Sequence, residues 1–335
     1  MKMISILTLI SFVIFAVMVS SGSIFAGGGE PLKIAILVWP GYAHAYVALE
    51  KGFFKERGVD VELILEEEYM DMLELYKHGE VDGVFTLLPD VILMNDEGIP
   101  ARIVCIPDVF LTADGIIGQP ELGSLKDLKG RKVSFEGVNS FSHVFVLHAL
   151  GKEGIGEEDV YFLSVAAKDV TDALDKGEID AGHTWEPFLS EAKDKGYKVL
   201  AYSSGVLPSI IVDVLAFDPR VIEKRPGDVK AVIEALFEAK DFVRSNRKEA
   251  IKIMAAALGI TEKEMARGVD GIRYTGIEDN KKALERSNEP TSLYASAEIV
   301  SRFYSERGQL LAYPDMDDII EPKFVEDIAA ERKKE

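Results

Sequence analysis

Apolar residues come in short bursts along most of the chain, and the spacing within the bursts alternates between two periods. Residues 33–38 (KIAILV) form a nearly continuous apolar run of strand length, and residues 59–65 (VDVELIL) alternate apolar and polar positions as a half-exposed strand does. Between them, residues 44–55 predict a helix that ends at Gly58. Residues 70–78 predict a helix stopped by Gly79, residues 81–85 a strand, residues 90–96 a helix ending at Gly98, and residues 101–106 a further strand. This succession predicts an α/β fold built on a largely parallel sheet with helices on both faces. From Pro219 the pattern turns helical, over residues 228–245, 247–258 and 292–307, with a capping box from Thr261 to Glu264.

A self-comparison sharpens the picture. Residues 79–89 (GEVDGVFTLLP) match residues 177–187 (GEIDAGHTWEP) at an offset of 98, with five of eleven positions identical. Upstream, YAHAYV at 42–47 matches FSHVFV at 141–146 at an offset of 99, and Lys33 before the first strand pairs with Lys132 before VSFE. The preferred reading is two α/β lobes of one plan; the alternative is chance plus ordinary strand–helix punctuation. Two such lobes face each other with matched loops at the carboxyl ends of their strands, where open α/β sheets bind ligands.

Composition narrows the class. The 335 residues are 47% hydrophobic and 28% charged, with a net charge of −19 and no concentrated basic patch, which argues against a nucleic-acid or anionic-lipid partner. A lone cysteine, Cys105, forbids an intrachain disulfide or a thiolate metal cluster. Met1-Lys2 followed by an apolar run to Val19 and a small-residue exit through Ser20–Ser23 reads as an export signal over residues 1–26, with Ala26 the preferred cleavage residue. An uncleaved anchor is the alternative. No cysteine lies near the junction, so the expectation is a soluble periplasmic or extracytoplasmic body, not a lipoprotein.

The matched loops hold the candidate chemistry. Trp39, Gly41 and Tyr42 lie in the first loop of the first lobe, and its counterpart holds Asn139 and Ser140; the later pair holds Thr86 and Asp90, then Thr184, Trp185 and Glu186. They offer hydroxyls, backbone N–H groups at helix starts and aromatic rings that could sandwich a small planar or alkyl ligand. His44, His143 and His183 fall in the same segments; three histidines and a carboxylate would suit zinc, but capping or packing is the preferred reading, so no metal and no cofactor are expected. No phosphate-binding loop, nucleophile elbow, HExxH or dinucleotide glycine fingerprint is present.

The blocks WPGY (39–42), ALEKGFFKERG (48–58), GEVD (79–82), SLKDLKGRKV (124–133), GEIDA (177–181) and TWEPF (184–188) resemble the nitrate/sulfonate/taurine-type solute-binding proteins of ABC importers. The similarity covers residues 33–217 well and the helical tail loosely. It implies a type II periplasmic-binding fold, with lobe 1 at residues 31–112 plus 218–335, lobe 2 at 113–217, and two hinge crossings near residues 104–112 and 210–217. It further implies a protein that is not an enzyme, binds one small molecule as a monomer and delivers it to a permease and ATPase. The candidate loops depart from anion-binding members in charge, carrying Glu66, Glu67, Glu68, Asp90, Asp108, Glu136, Glu186 and Asp213 and no Lys or Arg. A cationic or neutral nitrogen compound (amine, amidine or pyrimidine-like ring) is therefore the leading ligand class, met by Glu186 with help from Asp213 or Glu136. A sulfonate, taurine or nitrate is the second. A ligand-sensing domain for a membrane receptor, and an enzyme like the thiamine-pyrimidine synthases, are the remaining alternatives.

Overall fold

The computed structural model describes residues 30–206 and 212–334. The export segment at residues 1–26 lies outside them, as do residues 210 and 211 of the second expected crossing. Twelve strands occur among the described residues: β1 (Leu32–Leu37), β2 (Val61–Glu66), β3 (Gly83–Leu87), β4 (Arg102–Cys105), β5 (Asp108–Phe110), β6 (Asp114–Gly118), β7 (Lys132–Phe135), β8 (Tyr161–Ser164), β9 (Ala181–Trp185), β10 (Lys198–Tyr202), β11 (Asp213–Phe217) and β12 (Ile272–Tyr274). They build two five-stranded sheets, ordered β2-β1-β3-β11-β4 and β8-β7-β9-β6-β10, with β5 and β12 as a separate antiparallel pair.

The two sheets repeat one plan. β1 runs parallel to β2 and β3, and β7 runs parallel to β8 and β9. Next to each parallel trio lies an antiparallel strand, β11 beside β3 and β6 beside β9. Each of these antiparallel strands arrives from the opposite sheet. The chain passes to the second sheet between Cys105 and Asp114 and returns between Tyr202 and Asp213. The last strand of each sequence repeat therefore joins the sheet of the other.

The repeated acidic motif has a local job. Lys33 N–H donates to Asp82 Oδ2 at 2.8 Å while Asp82 N–H donates to the Lys33 carbonyl at 2.8 Å. Lys132 and Asp180 make the same two bonds at the same distances. Each aspartate thus staples the start of the central strand to the turn that feeds its parallel neighbour, fixing register where the helix-to-strand connection is short.

The helix expected over residues 44–55 is two, His44–Glu50 and Phe53–Glu56, because Gly52 adopts a left-handed φ of 79°. The break turns Phe53 and Phe54 inward, Phe53 edge-on to Phe242 of the long helix Pro226–Ser245. The capping box forms as the sequence predicts: Glu264 N–H donates to Thr261 Oγ1 at 3.2 Å, and Thr261 N–H donates back to Glu264 Oε2 at 2.8 Å. The helical tail packs on the first sheet and also touches the second side, Tyr304 OH donating to the Asn139 carbonyl at 2.9 Å. Among the described residues no helix is long and apolar enough to cross a membrane.

Asp82→Ala and Asp180→Ala should each destabilise the protein by about 1–2 kcal/mol, since each removes the acceptor of a strand N–H. Urea denaturation checks this, with similar losses expected for the two positions; an unchanged midpoint in both variants would show that the staples hold nothing.

Candidate functional site

The carboxyl ends of the parallel strands in both sheets converge on one small cavity. Six aromatic rings wall it: Trp39, Tyr42, Tyr69 and Phe110 from the first side, Phe141 and Trp185 from the second. Leu37 and Leu87 close the apolar lining, and two carboxylates, Asp213 and Asp114, supply its charge. The aspartates occupy matching places. Each opens its crossing strand, Asp213 in register with Leu87 and Asp114 in register with Trp185. Among the described residues no Lys or Arg lines the cavity.

The first wall is internally bonded. Trp39 Nε1–H donates to Asp213 Oδ2 at 2.8 Å, and Tyr42 OH donates to Asp213 Oδ1 at 2.6 Å. Tyr42 also stacks on Phe85, with ring centroids 5.0 Å apart. Asp108 lies against this cluster, since a methyl group on Gly41 would collide with both Asp108 Oδ2 and Trp39 Nε1; a side chain at position 41 has no room. Burial raises Asp108 to about 7, and burial together with the charge of Asp108 raises Asp213 well above the carboxylate range. The two carboxyls therefore hold a proton between them at neutral pH. Behind them Lys240, also buried, donates to the carbonyls of Ile106 and Thr275 at 3.3 Å each, and burial lowers it to about 8.

The second wall is organised by a relay. Glu136 N–H donates to Ser142 Oγ at 2.9 Å, and Ser142 Oγ lies 2.7 Å from His183 Nδ1. On its other side the ring donates from Nε2 to Asp114 Oδ2 at 2.9 Å. Ser142 does not line the cavity, so the relay orients Asp114 and presents no nucleophile. The two sides meet at Glu136, whose carboxylate accepts Tyr69 N–H on Oε1 and Ala167 N–H on Oε2, each at 3.0 Å. Desolvation outweighs those two donors and raises Glu136 to about 7.

The cavity gathers Trp39, Tyr42, Trp185 and Asp213 of the residues singled out in the sequence, and the others lie behind its walls. Thr86 Oγ1 and Asp90 Oδ2 bond the Tyr69 hydroxyl, both at 2.7 Å, and burial raises Asp90 to about 7. Thr184 Oγ1 donates to the Ala167 carbonyl at 2.9 Å. Ser140 caps the helix Phe141–Lys152, and Asn139, at φ 66°, gives its N–H to His143 Nδ1 at 3.0 Å. Glu186 is not among the lining side chains: Ser190 donates to its carboxylate through Oγ at 2.8 Å and N–H at 3.2 Å. The acid therefore finds its partners in the first turn of the helix Phe188–Asp194 that follows it, a role the sequence gave to the ligand. His44 Nδ1 lies 2.9 Å from the Gly41 carbonyl, and no group of three or more metal-ligating side chains occurs among the described residues.

Asp114, Tyr69, Phe110 and Phe141 enter the site without a sequence forecast. Asp114 has a faint signal, since it stands 99 residues before Asp213, the offset of the repeat.

Comparison with known proteins agrees with this architecture. The family model described as NMT1/THI5 like matches residues 39–250. A Brucella abortus (strain 2308) protein named as a binding protein is 28% identical over 64% of this chain and 67% of its own length. The formylaminopyrimidine-binding protein of Halalkalibacterium halodurans is 27% identical over 32% of this chain and 34% of its own. Among solved structures, the periplasmic aliphatic sulphonate binding protein SsuA from Escherichia coli superposes with a TM-score of 0.71 at 20% identity, covering 88% of this chain and 93% of that one.

The buried acids set a pH dependence. Asp90, Asp108 and Glu136 hold protons in the folded chain up to about pH 7, whereas the unfolded chain has released them above the ordinary carboxylate range. Their contribution to stability is therefore complete in acid and disappears as pH rises through about 7. Thermal melts should fall between about pH 4.5 and 7 and level off above it, and Asp108→Asn, which keeps the shape without the titration, should flatten that fall. A melting temperature that rises over this interval would contradict the assignment.

Proposed function

The chain belongs to the NMT1/THI5-like family, and from that premise we propose that it is the solute-binding component of an ABC importer, holding one small nitrogen compound between its two lobes. The observation that carries this reading is the cavity itself, with aromatic walls from both sheets, two carboxylates, and no cation lining it among the described residues. Aromatic faces attract planar rings and organic cations, and a carboxylate in a dry pocket favours a ligand that brings N–H donors or positive charge. The formylaminopyrimidine-binding relative supports a nitrogen ligand. A sulfonate would bring its negative charge against Asp114, and the Trp39 and Tyr42 donors that could serve it are already bonded to Asp213. The proposed ligand thus differs from that named for the sulphonate-binding structure of the same fold.

Capture and release follow from the two chain passages between the sheets, which act as a double hinge for rigid-body closure. The closed arrangement is held across the cleft by Glu136, by Lys168 to Glu68 at 3.2 Å and by Arg267 to Asp194 at 2.7 Å. Opening breaks these contacts and exposes the cavity. The protein works outside the cytoplasm as a monomer, with a permease and ATPase as partners, and returns its ligand chemically unchanged.

A thermal-shift screen of small amines, amidines, N-heterocycles and sulfonates tests the reading. A true ligand at 100 times its dissociation constant should stabilise the fold by about 2.7 kcal/mol and be recovered intact by mass spectrometry. Recovery of an altered compound would overturn the binding role, and tight binding of an alkane sulfonate would overturn the ligand class alone.

Trp39→Ala should weaken binding of the ligand so found by about 1–3 kcal/mol. Asp114→Asn should cost a cationic ligand about 1.5–3 kcal/mol and a neutral one less. Calorimetric titration checks both.

A further inference from the structure

We infer that Asp114 and Trp185 form a hydrogen-bonding edge on the second wall of the cavity that reads a ligand group carrying an N–H donor beside an acceptor atom, as in a carboxamide. The inference rests on the cavity being the solute site. The two residues are register partners on adjacent strands, both line the cavity, and they are 2% and 4% exposed. Asp114 Oδ1 and Trp185 Nε1 have no hydrogen-bond partner among the described residues. One is an acceptor and the other a donor, both out of reach of water. Leaving such groups unpaired is costly, and they do not satisfy each other.

Comparison with the first wall shows why. There, the same pair of groups, an indole N–H and a strand-opening aspartate, closes on itself as Trp39 to Asp213 at 2.8 Å. In the second wall His183 holds Asp114 by Oδ2, and the carboxylate is kept from swinging to the Trp185 indole. Asp114 Oδ1 and the indole N–H of its register partner Trp185 both stay open. A ligand that offers one donor and one acceptor along an edge satisfies both at once; a tetraalkylammonium ion, with neither, satisfies none. His183 is thus a positioning residue, acting on the ligand through Asp114.

Benzamide and acetophenone provide the test, because they have nearly the same shape and differ by an amide NH₂ in place of a methyl group. Calorimetric titration of the unmodified protein should show benzamide binding at least tenfold more tightly. Asp114→Leu should erase that preference. Trp185→Phe, which keeps an aromatic wall and so guards against a folding artefact, should weaken both compounds about three- to tenfold without changing their ratio. His183→Leu should collapse the ratio and His183→Gln, which still offers an N–H to Asp114, should restore it; a merely structural role would not move the ratio. Equal affinity for the two compounds, failure of both to bind while an amine from the screen does, or a preference that survives Asp114→Leu would each overturn this inference and leave the solute-binding reading standing. Failure of every compound in the screen would remove both.

Discussion

The Glu136 carboxylate bridges two backbone N–H groups that stand 98 residues apart, Tyr69 and Ala167, the same place in two copies of one plan. One oxygen fixes the turn that delivers the Tyr69 ring, and the other fixes the turn whose carbonyl accepts from Thr184 at the end of β9. The backbone N–H of the same residue starts the relay through Ser142 and His183 to Asp114. A single side chain and its own peptide group therefore link the two walls and the acid that lines the second one. Two N–H donors stabilise the ionised form, but burial costs more, which is why the group stands near 7.

The electrostatics of the cavity differ from those of the surface around it. The whole chain carries a net charge of −19, yet the carboxyls clustered beneath the first wall hold protons at neutral pH, and Lys240 lies close behind them. The first wall is thus nearly self-neutralised, with its indole and phenol donors consumed internally. The second wall keeps an open donor and an open acceptor. A pseudo-symmetric fold in this way gives an asymmetric site: one half supplies packing surface and a balanced charge, the other supplies direction.

Much of the fold could be read along the chain because it depends on local rules. Apolar periodicity located β1 to within one residue at each end, glycines marked the ends of helices, and the Thr261–Glu264 box formed as its spacing required. The GEVD and GEIDA motifs exposed the duplication because their aspartates make short-range staples that any copy of the unit needs. Trp39, Tyr42 and Trp185 were legible as loop aromatics at matched offsets, and they meet in the cavity. The break at Gly52 was hidden because a helix interrupted by one left-handed residue keeps its apolar spacing on either side.

What the chain alone determined, then, is the unit: strand, loop, helix and strand, repeated twice, with aromatic and hydroxyl residues at the strand ends and an excess of acid. Which acid lines the cavity was decided only by tertiary structure. Glu186 looked unpartnered in sequence and is satisfied by Ser190 one turn away, whereas Asp114 looked ordinary and is held in the cavity by a histidine 69 residues distant. The reason is topological and energetic together. The last strand of each repeat crosses to the other sheet, so neighbours in the cavity are far apart in sequence, and a buried polar group takes whichever partner the packing brings near it.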